Sequence, residues 1–154
     1  MRHYEVRDLM TTDPVTVTPA TPVKDLAGIL VKQQIGALPV LTAQGRPVGV
    51  VTEADLLRKA QLQRDPDGQH STHLSYRTRR DIATAETAGE IMSRHPATVR
   101  ADATAAEAAR LMDRQQARCL LVVGEDGKLL GVLSPRDLLR VLAGDGASPS
   151  SPQT

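Results

Sequence analysis

Two short runs carry the residue types in this chain that can do chemistry, GVVTEAD at 49–55 and GVLSPRD at 131–137. In each, a glycine stands in a β-branched run, a hydroxyl (Thr52, Ser134) follows, and an acid (Asp55, Asp137) comes three residues later. A hydroxyl beside the unpaired amides and positive dipole end of a new helix suits a phosphate. A carboxylate on the same first turn accepts two hydrogen bonds from a vicinal diol, as dinucleotide folds do with ribose. Together they suit a ribose phosphate. The same spacing is also a capping box, in which hydroxyl and acid only satisfy backbone donors at a helix start. Spacing alone leaves both readings open. Gly49 and Gly131 lack a side chain, which lets a ligand or a neighbouring backbone approach closely. No Ser-His-Asp, Cys-His, phosphate-binding loop or paired-carboxylate constellation accompanies these runs, so the expectation is a protein that is not an enzyme and needs no cofactor or catalytic group.

The elements that must position these residues come from an internal repeat. Shifting the sequence by 82 positions aligns 8–57 with 90–139 without a gap and with about fifteen identities. Thr16-Val17 meets Thr98-Val99, Gln33-Gln34 meets Gln115-Gln116, and Asp55-Leu56-Leu57 meets Asp137-Leu138-Leu139. VTV (15–17) and ATV (97–99) each predict a brief strand. Thr21-Pro22 offers an N-cap and a first helical proline, ahead of Val23, Leu26, Ala27, Leu30 and Val31 at helical spacing. Ala105, Ala108, Ala109, Leu111 and Met112 repeat that face. ALPVL and CLLVV read as buried strands, AQGR and EDGK as turns, and PVGVV and LLGVL as hairpin partners. Thr52 and Ser134 then cap EADLLRKAQL and PRDLLRVL. The unit is β-α-β-β-α, and the fold class is α+β.

The expected organisation is a first unit over 1–63, a flexible connector over 64–87, a second unit over 88–143 and a frayed tail over 144–154. Within the connector, His70 and His73 form an H-x-x-H without a converging third ligand, and no metal site is expected. Arg77, Arg79 and Arg80 read as a solvated loop run or a lid over an anion. Composition narrows the function further. Two tyrosines with no Phe or Trp supply no stacking platform for single-stranded nucleic acid, and a net charge of +1 gives no polyanion footprint. Cys119 is the single cysteine and lies in an apolar run, which suits a reducing, cytoplasmic home. The amino terminus has no signal-like apolar stretch, and no segment reaches the ~20 apolar residues of a membrane span.

Two β-α-β-β-α copies, each closing with Gly-h-h-[Ser/Thr]-x-x-Asp and a Leu-rich helix, resemble the CBS motif, and the tandem resembles a Bateman module. GVVTEAD, GVLSPRD, the openings MTTDPVTV and MSRHPATV, and ALPVL carry the resemblance. It implies two units packed with approximate two-fold symmetry, with clefts between them that take AMP, ADP, ATP or another adenosyl compound. By that resemblance Thr52, Asp55, Ser134 and Asp137 hold phosphate and ribose, and Val50 and Val132, with Val51 and Leu133, flank the adenine. Gly36-Ala37 and Arg118-Cys119 approach the phosphates. Arg118 can meet a phosphate bidentately, and Arg136, matched by Ala54, is a second basic candidate. Thr21, matched by Ala103, lies near the nucleotide or serves only as an N-cap.

The resemblance also implies a stand-alone regulatory module that signals to an unknown effector protein. The alternative is an interaction scaffold or regulatory subunit with vestigial ligand sites. An Ala-rich face (Ala105, Ala106, Ala108, Ala109) and apolar Leu138, Leu139, Val141 and Leu142 point to a homodimer.

Overall fold

The computed structural model describes residues 4–64 and 76–144. His70 and His73 lie outside the described residues, as does the tail from 145. In chain order the elements are α1 (Val6–Leu9), β1 (Thr11–Thr12), α2 (Val23–Gln33), β2 (Ala37–Leu41), β3 (Pro47–Thr52), α3 (Glu53–Arg64) and α4 (Tyr76–Thr84). They continue with α5 (Ala88–Ile91), β4 (Ser93–Arg94), β5 (Thr98–Arg100), α6 (Ala105–Gln115), β6 (Leu120–Val123), β7 (Leu129–Leu133) and α7 (Pro135–Leu142). The α+β class holds.

The chain folds into two compact units, and these exchange the segments that open the repeats. One comprises Met1–Val15, Gln44–Pro47 and His95–Thr154; the other Thr16–Ala43 and Val48–Arg94. In the first, the sheet order is β1-β7-β6-β5, so a strand from before the first repeat's core pairs with the second repeat's β7. Thr11 lies opposite Val132 and Thr12 opposite Gly131, antiparallel. In the other unit the order is β2-β3-β4, with Gly49 opposite Arg94 and Val50 opposite Ser93. The two pairings fall at the same repeat positions.

Each unit has its own core. Val17, Leu26, Leu30, Leu38, Val40, Val51, Ala85, Ala88 and Ile91 fill one. Val6, Leu9, Ala108, Met112, Leu120, Val122 and Leu133 fill the other. Leu26 and Leu30 correspond by repeat to Ala108 and Met112, so each long helix buries the same one-sided stripe. That stripe is narrower than the sequence pattern suggested, because Ala27, Val31 and Ala109 are exposed. Leu138 and Val141 also depart from expectation: they pack against the second core rather than forming a free apolar surface.

Three further expectations are corrected. VTV at 15–17 does not form a strand; Val17 makes only an isolated parallel bridge to Val40, where the second repeat has the full pairing of β5 with β6. Leu121 N–H donates to Ala97 O at 2.9 Å, and the residue equivalent to Leu121 is Pro39, which has no N–H to give. The connector is not loop throughout, since 76–84 are helical. Lys59 Nζ and Gln63 Nε2 from α3 donate to Ala83 O at 2.7 and 3.1 Å, satisfying a carbonyl at the end of α4, and Ala85 is buried just beyond. Arg79 is half-buried and Arg80 exposed on this helix.

Thr21 is not the N-cap of α2. Pro22 holds that position without a side-chain bond, while Thr21 Oγ1 turns back to accept from Thr18 N–H at 3.1 Å. The residue aligned with Pro22 is Thr104, and there the hydroxyl does cap, accepting from Glu107 N–H at 3.1 Å. Thr104→Ala is therefore expected to cost about 1 kcal/mol. Thr21→Ala removes only a turn bond and should cost less; urea denaturation of both variants gives the comparison.

Both long helices end with a glutamine in the left-handed region, Gln34 at φ 55° and Gln116 at φ 51°. A C-terminal left-handed residue frees a backbone N–H to close on the last helical carbonyls. The matched Gln-Gln pairs in the sequence mark those two helix ends.

Candidate functional site

The candidate residues fall into two half-sites, one in each unit. At the first, β3 ends on Thr52 and α3 begins at Glu53. Thr52 N–H donates to Asp55 Oδ2 at 2.9 Å, and Asp55 N–H donates to Thr52 Oγ1 at 3.3 Å. At the second, Ser134 N–H donates to Asp137 Oδ2 at 2.8 Å, and Asp137 N–H donates to Ser134 Oγ at 3.3 Å. The capping box is thus formed in both copies, with Pro135 in the first turn of α7.

The box does not consume the acid. Only Oδ2 of each carboxylate serves it, and Oδ1 stands outside. A carboxylate oxygen carries two lone pairs, so a carboxylate can cap a helix and still accept hydroxyls. Asp55 and Asp137 are the buried acids of the described chain, at 8% and 6% exposure. Capping locks both rotamers, and a locked carboxylate is organised before any ligand arrives. Asp55 Oδ1 also has Arg58 Nη1 at 3.6 Å, from the next turn of α3.

Gly49 and Gly131 are small because backbone comes close, not to leave open space. A Cβ on Gly131 would stand 2.5 Å from Thr11 O and 2.9 Å from Met10 Sδ. One on Gly49 would meet Met92 Sδ, and Ser93 O at 2.9 Å. The two glycines let the exchanged strands β1 and β4 pair tightly, which fixes the strand ends from which Thr52 and Ser134 emerge.

The remaining candidates divide. Val50 and Val132 are half-buried on β3 and β7. Ala37 opens β2, and exposed Gly36 precedes it. Gly36 O accepts from Glu53 N–H at 3.1 Å, so this pair of positions abuts the start of α3. In the other unit Arg118 and Cys119 lead into β6, whose Leu120 lies opposite Leu133, the residue before Ser134. Arg118 and Arg136 are both exposed. Thr21 is held by Thr18, and its carbonyl accepts from Ala88 N–H at 2.8 Å, an engagement with the α2 entry rather than with Thr52 or Asp55. Glu53 and Arg58 are the local residues that sequence reasoning passed over.

Cys119 sits just outside β6 and is half-buried. Burial pushes its thiol from an ordinary 9.0 up to about 11. The unfolded chain releases this proton through pH 9 while the folded chain keeps it to about 11, so stability falls as pH rises across that window. At pH 8 the thiolate fraction should be about a hundredfold lower than in a free thiol. Iodoacetamide is therefore expected to label folded Cys119 slowly and urea-unfolded chain at the ordinary rate; equal rates would contradict this.

Among the described residues no cluster of His, Cys, Asp and Glu can hold a metal ion, and no helix is long and apolar enough to cross a membrane.

Repeated β-α-β-β-α units closing on a capped hydroxyl and acid define a tandem motif class, and comparison with known families identifies it. The CBS domain model matches residues 6–61 and 88–144, and the chain belongs to the CBS domain family as a tandem pair. It is 28% identical over 142 residues to an uncharacterized protein of Methanopyrus kandleri, covering 92% of this chain and 64% of that protein. It is 30% identical over 149 residues to the chloroplastic CBS domain-containing protein CBSX2 of Arabidopsis thaliana, covering 89% of this chain and 63% of that one. The chain therefore spans a little under two thirds of the length of these relatives. The crystal structure of CBSX2 in complex with AMP matches at a TM-score of 0.80 and 31% identity, over 92% of this chain and 97% of that chain. A CBS domain pair crystallised with 5′-methylthioadenosine and S-adenosyl-L-methionine shares the fold at a TM-score of 0.73 and 22% identity, over 93% of this chain and 98% of that one.

Proposed function

We propose that this chain is a regulatory module that binds an adenine nucleotide or related adenosyl compound at its two half-sites and passes their occupancy to a partner protein. The observation that carries the reading is the division of labour in each acid: Oδ2 fixes the helix start and Oδ1 lies outside the box, where a ribose hydroxyl can reach it, at Asp55 alongside the Arg58 guanidinium at 3.6 Å. The hydroxyl of Thr52 or Ser134 stands beside it at the helix N-terminus, where a phosphate is favoured. The 31% identical CBSX2, crystallised with AMP, supports the same ligand class. In this reading Val50 and Val132 flank the base, Gly36-Ala37 and Arg118-Cys119 approach the phosphate side, and Arg136 adds positive charge at α7. Thr21 is assigned no ligand contact.

Regulation requires a ligand that favours one of two arrangements of the protein, and coupling of about 1 to 3 kcal/mol changes partner affinity about 5 to 150-fold. Self-association belongs to the same proposal. Leu57 and Leu139 occupy matching repeat positions and are 68% and 57% exposed, with Leu142 at 82%. These, rather than the packed Leu138 and Val141, are the residues for a homodimer to cover. The capping boxes favour a second reading, a scaffold in which these side chains serve the helix ends alone. Calorimetric titration with AMP, ADP, ATP and adenosine separates the two. Saturable binding of at least one compound is expected, and no binding across the set would leave the scaffold.

A further inference from the structure

We infer that the two half-sites select adenosyl ligands of different charge: the α7 half-site takes a phosphorylated one, and the α3 half-site takes one without phosphate. The inference rests on the proposed adenosyl binding and adds the ligand class at each site.

The evidence is a reversal of charge around otherwise matched groups. Hydroxyl, acid and capping geometry agree in the two copies. The surrounding positions do not. Where the second repeat has Arg118, Pro135 and Arg136, the first has Gly36, Glu53 and Ala54, a set with charge −1 against +2. The structure shows that Glu53 is not simply directed away. Its N–H donates to Gly36 O at 3.1 Å, and its Oε1 lies 3.4 Å from where a Cβ on Gly36 would stand. A carboxylate therefore stands beside the backbone position at which the second repeat carries an arginine. In the second repeat Pro135 brings neither an acid nor an N–H to that place.

A phosphate carries close to two negative charges at neutral pH and pairs bidentately with arginine. A carboxylate beside the site opposes it, while a neutral or cationic substituent on the adenosine is unaffected or attracted. Arg58 Nη1 lies 3.6 Å from Asp55 Oδ1, so its charge is directed at the ribose acid.

The test uses the full chain and calorimetric titration with AMP and with adenosine. Asp55→Asn weakens the α3 half-site and leaves the α7 one to be measured; Asp137→Asn does the converse, and asparagine retains a capping oxygen. The α7 half-site is expected to prefer AMP over adenosine by about tenfold or more, and the α3 half-site to prefer adenosine. Adding Glu53→Gln to Asp137→Asn should tighten AMP binding about fivefold with no matching gain for adenosine. Glu53→Gln in the otherwise unaltered chain gives a reading free of the asparagine variants, as Glu53 is exposed. The same preference at both half-sites, or an equal gain for both ligands on Glu53→Gln, overturns this inference and leaves adenosyl binding standing. No binding of AMP or adenosine by the unaltered chain overturns this inference, and no binding of ADP or ATP in addition overturns the adenosyl reading with it.

Discussion

Gly131→Ala is expected to destabilise the protein by about 3 kcal/mol, the largest loss foreseen for adding a single methyl group. The new Cβ would lie 2.5 Å from Thr11 O, a backbone atom that is itself held in the antiparallel pairing of Thr12 with Gly131 and Thr11 with Val132. Relief requires β1 to move off β7, which breaks the ladder and pulls on α1, whose Val6 and Leu9 are buried in the core. Gly49→Ala occupies the same place in the other unit with a milder outcome. Its nearest clash is with the flexible end of Met92, which can turn away, although Ser93 O at 2.9 Å still has to shift. Chemical denaturation of the two variants should rank Gly131→Ala as clearly worse. Equal and small losses would mean that the exchanged strands are not held at the positions described.

The second large effect concerns ligand response. In Asp55→Ala/Asp137→Ala each helix start loses an acceptor for Thr52 or Ser134 N–H, costing about 1 kcal/mol per site. Stabilisation by AMP should vanish as well, and at a ligand concentration of 100 Kd that is a further loss of about 2.7 kcal/mol for one site. Thr104→Ala is the control, because it removes a helix cap of similar value remote in sequence from both acids. Thermal melts with and without AMP should show all variants lowered, with the AMP-induced rise kept in Thr104→Ala and lost in the double variant. A double variant that keeps its full rise would confine the two acids to capping.

Much of this was legible in the sequence because the repeat is written in residues whose roles are local. Gly131, Ser134 and Asp137 lie within one strand end and one helical turn, so spacing alone defines their geometry. The paired glutamines at 33–34 and 115–116 showed in the sequence only as matched repeat positions, and their place at the helix ends comes from the backbone. What was not legible depends on partners distant in the chain. β1 and β4 are two-residue runs, Thr11–Thr12 and Ser93–Arg94, too short for any periodicity, and their exchange shows only in the pairing. Helix α4 has no apolar pattern to announce it, because YRTRRDIAT is nearly all polar; its end is secured by Lys59 and Gln63 from another helix. VTV has good strand character, but its partner carries Pro39. The placing of Glu53 over Gly36 has no local signature beyond standing where the other copy has Pro135.

Titrating ¹⁵N-labelled chain with AMP while following backbone amides by NMR bears most directly on the ligand-binding role of the capped acids. The amides of Thr52–Asp55, or of Ser134, Arg136 and Asp137, which lie within or beside the capping boxes, are expected to move first and furthest. Saturable shifts confined to other parts of the chain, with both groups unmoved, would contradict it.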